Sequence, residues 1–268
     1  MANELALYPR LIGARIRSQM QYRMSFALYL AGSFVLTAAD FFAIWVIFRH
    51  IPTLEGWSLE EVAFFYGTSY VSFKTTDMVL GHLDLLPELV RTGNFDTMLT
   101  RPLGSLFQIV TADFALRHVG AITQGIVVLA YAIASLSIEW DAGRVAMMAV
   151  MLVSGGVIFG GVWVIGASTV FWTQGSGLEV LNTFTYGGNA LTQYPLNIYS
   201  GWMRRILAFV VPLGFVNYFP SLYILGKDDP LGAPGFLRFI SPLVAVAMVF
   251  VAHVAWGFGV RHYRSTGS

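Results

Sequence analysis

Apolar residues along this chain run in long blocks broken by short polar connectors, and the blocks carry most of the structural information. Five of them, at residues 26–48, 62–80, 119–138, 145–170 and 239–260, have about the ~20 residues a helix needs to cross hydrocarbon. Each predicts a membrane span. Between residues 173 and 227 two segments compete for one further crossing. Residues 206–225 are the oilier, but Pro212 and Pro220 each remove a backbone donor and Asn217 lies between them, which favours a broken or re-entrant element. Residues 178–199 are more polar, yet Asn182, Tyr186, Asn189 and Gln193 recur at helical spacing, with Thr185 and Thr192 beside them. That stripe allows a span whose polar face looks onto a water-filled path or a partner helix. The expected architecture is therefore all-α and polytopic: six transmembrane helices, the fifth at 178–199, with residues 202–225 forming an external re-entrant hairpin.

Composition agrees, since 56% of the 268 residues are apolar and 12% are charged, with mean hydropathy +0.65. A soluble domain of this length carries about twice that charge. The net charge of +1 offers no broad basic face, so nucleic acid is not an expected partner; membrane lipid is. No cysteine is present, which excludes disulfides and thiol chemistry. Residues 1–25 mix Arg10, Arg15, Arg17 and Arg23 with Leu5, Leu7, Leu11, Ile12 and Ile16, the pattern of an interfacial amphipathic helix rather than a cleaved signal. Basic residues in this arm and in the tail (Arg261, His262, Arg264), against acids in the 51–61 and 139–144 connectors, place both termini in the cytoplasm of a bacterial inner or plasma membrane. Arg204 and Arg205 run against that count, because the chosen topology puts them outside.

Several chemistries are missing. Of the two lysines, Lys74 follows Phe73, and Lys227 follows Gly226 but precedes Asp228, so no phosphate-binding loop exists and the chain hydrolyses no nucleotide itself. The histidines at 50, 82, 118, 253 and 262 are far apart, and neither a zinc-protease helix nor a G-x-S-x-G elbow occurs. No catalytic or metal-binding residue is expected. Asp40 and His253 fall within spans, where ionisable groups are costly; an internal hydrogen bond to a neighbouring helix accounts for each. Gly156 and Gly160 form a G-x-x-x-G pair suited to close helix packing.

Residues 82–108 form the most polar loop and follow the second span, hence face the cytoplasm. Pro87 suits a first helical turn, Glu88 favours the positive helix end, and Gly93 fits the position past the last turn. Asn94 then caps a second short helix through Phe95, Asp96, Met98 and Leu99, which Pro102 stops. The apolar side of Phe95, Met98 and Leu99, rimmed by Arg91, Asp96 and Arg101, suits a soluble partner.

Here the chain resembles a known family, the permeases of type-2 ATP-binding-cassette exporters. The likeness rests on V-R-x-G-x-F-D-x-x-L-x-R-P-L at Val90, Arg91, Gly93, Phe95, Asp96, Leu99, Arg101, Pro102 and Leu103, and on the block at residues 194–226, with Trp202, Ile206 and Pro212 in its external helices. It implies a homodimer or a pair of related permeases bound to two copies of a separate cytoplasmic ATPase, with ATP and magnesium on that ATPase and no cofactor here. It also implies that the loop holding Glu88, Arg91, Gly93, Phe95, Asp96, Leu99, Arg101 and Pro102 is the coupling helix, Arg91 and Asp96 pairing with the ATPase while Phe95 and Leu99 fill its groove. The polar face of the fifth span (Asn182, Tyr186, Asn189, Gln193), with Tyr66 and Tyr70 beside Phe73 on the second, would line a path for an amphipathic or hydrophobic small molecule, lipid or drug. A secondary carrier, or an intramembrane enzyme or scaffold, is the alternative; the first would need paired intramembrane charges and symmetric halves.

Overall fold

The computed structural model describes residues 2–173 and 178–264, and among these no strand is present. Helix α1 (Ala2–Met20) leads into α2 (Arg23–Phe48), followed by α3 (Leu59–Leu80), the short α4 (Leu86–Arg91), α5 (Asn94–Leu99) and α6 (Ser105–Ala112), then α7 (Val119–Ser135) and α8 (Ala142–Ser168). After α9 (Val170–Thr173) come α10 (Leu178–Thr192), α11 (Gly201–Arg205), α12 (Tyr218–Ile224) and α13 (Ser241–His262). Starts are written locally. At α3 the Ser58 side chain accepts from the Glu61 amide while the Glu61 carboxylate accepts from the Ser58 amide, and at α8 the Asp141 side chain accepts from the Arg144 amide.

Among the described residues, length and composition qualify four helical stretches as candidate membrane spans, at Arg23–Phe48, Leu116–Ser135, Ala142–Thr173 and Ser241–His262. A fifth arises only if the pair Gly201–Val210 and Leu213–Ile224, bent by 73°, counts as one. The expected six is not reached on these grounds, for two physical reasons. Helix α3 is long enough at 22 residues but carries Glu60, Glu61, Lys74 and Asp77. Helix α10 stops at Thr192 after 15 residues, about 22 Å of rise against a hydrocarbon core of about 30 Å, so the helix expected over 178–199 is cut short ahead of Pro195.

Helix α3 is the centre of the bundle, packed against α2, α7, α8 and α10. Gly67 sits directly on α7, where an added Cβ would lie 2.8 Å from the Leu129 Cβ. The polar groups of α3 are spent inside the chain: Ser69 donates to Asn189 (3.1 Å), Ser72 to the Leu152 carbonyl (3.2 Å) and Thr76 to the Gly156 carbonyl (2.9 Å). Lys74 meets Asp77 at 2.9 Å, His118 lies 3.4 Å from the other Asp77 oxygen, and Lys227 meets Glu61 at 2.7 Å. The bend between α11 and α12 is fastened by Asn217, whose buried amide donates to the carbonyls of Phe65 (3.0 Å) and Thr192 (2.8 Å). Pro212 lies in this break and Pro220 in the first turn of α12, in keeping with the expected interruption.

Candidate functional site

The polar loop becomes a compact two-helix knuckle. A 3-10 turn at Gly81–Leu85 ends α3, and Pro87 occupies the first turn of α4. The chain then reverses at Gly93, whose φ of 70° is left-handed and favours glycine. Gly93, not Asn94, caps α5; the Asn94 side chain instead donates to the Thr92 hydroxyl at 3.0 Å. The buried amide of Gln108 clamps the far side, donating to the carbonyls of Met98 (2.8 Å) and Leu103 (2.9 Å). Pro102 lies between α5 and α6, where the chain turns back.

The knuckle has two faces. Leu86, Val90 and Phe95 are buried, and the Phe95 ring packs against Phe171 (5.2 Å between centroids) and Tyr263 (4.9 Å). Phe95 therefore cannot fill a groove on another protein: its side of the short helix points at α9 and the end of α13. Asp96 is also drawn inward. Burial, and after it the Asp96 carboxylate, pushes the Tyr263 phenol up to about 12, so Asp96 answers a group of its own chain rather than standing free as a rim charge. Leu85 and Leu99 are each 44% exposed, and Glu88, Arg91, Arg101 and Pro102 of the same segment are exposed as well.

The residues expected along a path are distributed differently. Tyr66 is fully buried, donating to the Thr37 carbonyl (3.0 Å) and to Gln124 (3.3 Å) and stacked on Tyr70 at 4.8 Å. Tyr70 donates to Asp40 on α2 at 3.1 Å. Both rings are sealed between α2, α3 and α7. On α10, Asn189 is buried against Ser69, and Gln193, just past the end of that helix, is half-buried. The half-buried Asn182 has a side-chain oxygen without a hydrogen-bond partner among the described residues. Tyr186 remains 38% exposed while donating to Asp84 at 3.0 Å. The stripe thus knits α10 onto α3 and onto the turn that precedes α4.

The family model described as "ABC-2 family transporter protein" matches residues 34–267. The chain belongs to the ABC-2 transporter family. No curated protein and no solved structure matches it. As an ABC-2 protein it is a multi-pass membrane permease of an ATP-binding-cassette transporter, and membership implies partnership with an ABC ATPase.

Within this permease one site escaped the sequence reading. Asp84 accepts from Trp163 Nε1 of α8 at 2.9 Å as well as from Tyr186 of α10, so one carboxylate joins two helices to the turn leading into α4. Burial holds it above the ordinary carboxylate range, and the two donated hydrogen bonds pull it back down. Its partners lie 79 and 102 positions away, beyond any local pattern. Gly156 and Gly160 contact α3, where added Cβ atoms would meet Thr76 Oγ1 at 3.3 Å and Leu80 Cδ1 at 3.1 Å. They also border an apolar groove of about 670 Å³ between α3, α8 and α13 that His253 lines.

Proposed function

We propose that this permease carries the export of an amphipathic or hydrophobic small molecule, lipid or drug, driven by a separate cytoplasmic ATPase that docks on the α4–α5 knuckle. Two permeases, alike or related, form the path, each crossing the cell membrane six times with both termini inside. ATP and magnesium act on the ATPase; this chain converts closure of its partner into movement of helices.

The observation that carries the reading is the outward face of the knuckle. Leu85 and Leu99 are exposed leucines on a polar segment whose Glu88, Arg91 and Arg101 are exposed too, the composition of a small anchored docking surface. The inner face gives it rigidity, since Val90 and Phe95 are buried and the Gln108 amide braces the exit. Force on Leu99 reaches α13 through Phe95 and Tyr263, and force on α4 reaches α8 and α10 through Asp84. Tyr186 and Asn182 on α10, with Gln193 just past its end, would meet the solute where that helix moves. Tyr66 and Tyr70 support the path from behind rather than lining it.

The experiment is recovery of the chain from membranes in mild detergent, with identification of what accompanies it. The wild type should bring an ABC ATPase. Leu99→Asp should bring about 30-fold less, the loss of one interface anchor worth about 2 kcal/mol, while eluting as an intact protein. Arg91→Glu should lower recovery or uncouple ATP hydrolysis from export. Unchanged recovery and transport in both variants would place the docking surface elsewhere.

A further inference from the structure

Where α1 gives way to α2, the polar side chains divide into two sets. Gln19 is tied inward, donating to the Asp113 carboxylate (3.0 Å) and to the Phe114 carbonyl (2.7 Å) just past the end of α6. Tyr22, Ser25 and Tyr29 follow one another at steps of three and four, on one face of α2. All three are exposed, and among the described residues their hydroxyls have no hydrogen-bond partner. These four residues, with Asp113 and Arg117, surround a cavity of about 740 Å³ that Phe26 also lines. Arg117 lies in the 3-10 turn at Leu116–His118. Its guanidinium stands 3.9 Å from Asp113, too far for a hydrogen bond, and donates none among the described residues. Five N–H donors and three hydroxyls therefore gather around a carboxylate that accepts a hydrogen bond from Gln19 alone.

Depth and charge together narrow what can sit there. Tyr22 caps the start of α2, and from Tyr22 to Tyr29 the helix rises about 10 Å, against a headgroup layer of about 6 Å on each side of the hydrocarbon. The cavity thus begins among headgroups and ends at the first carbons of the tails. Leu36, seven residues beyond Tyr29 on the same face, is 72% exposed and continues the track in apolar form. A simple anion held by Arg117 would lie beside the Asp113 carboxylate, and a simple cation held by Asp113 would lie beside the guanidinium. A zwitterion answers both charges at once. The carboxylate, moreover, is satisfied by N–H donors, which a primary ammonium has and a quaternary one lacks.

We propose that this cavity binds the phosphoethanolamine headgroup of a membrane phospholipid. Arg117 and the hydroxyls of Tyr22, Ser25 and Tyr29 hold the phosphate, Asp113 holds the ammonium, and an acyl chain follows α2 toward Leu36. Basic pockets beside membrane helices take headgroups in this way, and the acid beside the base is what selects a zwitterion here. The bound lipid fastens α1 and α2 to the turn that leads into α7. The site lies away from the α4–α5 knuckle, so it stands whether or not the export reading does.

The test is native mass spectrometry of the protein purified in mild detergent with whatever subunits accompany it. It is titrated with dioleoyl phosphatidylethanolamine, phosphatidylcholine and phosphatidylglycerol, which share their tails, and with soluble phosphoethanolamine. Phosphatidylethanolamine should bind at least about tenfold more tightly than the other two lipids, the worth of one charge-assisted hydrogen bond, and the soluble headgroup more weakly than any of them. Arg117→Gln should weaken phosphatidylethanolamine about tenfold, whereas Arg205→Gln, at an exposed arginine of α11, should leave it unchanged. Asp113→Asn keeps an oxygen for Gln19 and should abolish the preference for phosphatidylethanolamine over phosphatidylcholine without weakening phosphatidylcholine, an outcome that misfolding does not produce. Equal affinity for the three lipids overturns the proposal, since the contact is then ordinary solvation by lipid. Tighter binding of phosphatidylglycerol than of phosphatidylethanolamine makes the site one for anions and also overturns it. So does soluble phosphoethanolamine binding as tightly as the lipid, which assigns the cavity to a free phosphate ester. A preference that survives both Arg117→Gln and Asp113→Asn places the headgroup elsewhere on the protein.

Discussion

Helices α2 and α3 are similar in length, 26 and 22 residues, and opposite in design. The apolar one lies on the outside, while the polar one, with Glu61, Thr68, Ser69, Ser72, Thr76 and Asp77 all buried, occupies the centre. In water this arrangement would be inside out. In a bilayer it is the economical one, because lipid rewards no burial of leucine whereas every hydroxyl and carboxylate must find a partner within the protein. Between these two helices, a continuous apolar surface goes with exposure and a row of polar side chains goes with contact to other helices.

The comparison breaks most readily at Gly67. Gly67→Ala places a Cβ 2.8 Å from the Leu129 Cβ and 2.9 Å from its backbone, and should cost about 3 kcal/mol as overpacking, seen as loss of monodisperse protein in detergent gel filtration. Val35→Ala on the lipid side of α2, exposed at 65%, should stay within about 0.5 kcal/mol. Equal damage from the two would mean that α2 is no freer than α3. The next effect is at Asp84: Asp84→Ala strands the Trp163 and Tyr186 donors and should cost about 2 kcal/mol, read as a lower midpoint of thermal unfolding followed by tryptophan fluorescence, with Asp84→Asn recovering part of it. Tyr70→Phe removes the hydroxyl that holds Asp40 and should cost about 1 kcal/mol in the same assay. The smallest effect concerns His82, which burial holds below the ordinary imidazole range. The native state then takes up its proton less readily than the unfolded chain, so stability is present above the unfolded value near pH 6.5 and is lost as pH falls below it. His82→Gln should flatten the dependence of the unfolding midpoint on pH below 6.5 relative to the wild type.

Much of the fold was legible because its signals are local. Pro87 and Gly93 marked the two short helices, and Pro212 with Pro220 marked the break, since each of these residues constrains its own backbone. The expected permease of an ATP-binding-cassette transporter agrees with the family match over residues 34–267. Orientation of side chains was harder. Phe95 and Leu99 are both apolar residues of α5, and nothing in their spacing says which meets Phe171 and which meets solvent. The stripe on α10 was real as a pattern, but its meaning depended on Ser69 and Asp84, whose contacts span more than a hundred positions. Tyr66 and Tyr70 illustrate the same limit, because an aromatic pair at helical spacing looks alike whether it lines a route or is sealed behind one.

The Asn217 amide bears on how the molecule can open. By holding the Phe65 and Thr192 carbonyls together, it makes the kinked α11–α12 segment, the end of α10 and the first turns of α3 a single latch. Opening the molecule through this latch would break two hydrogen bonds in a dry interior.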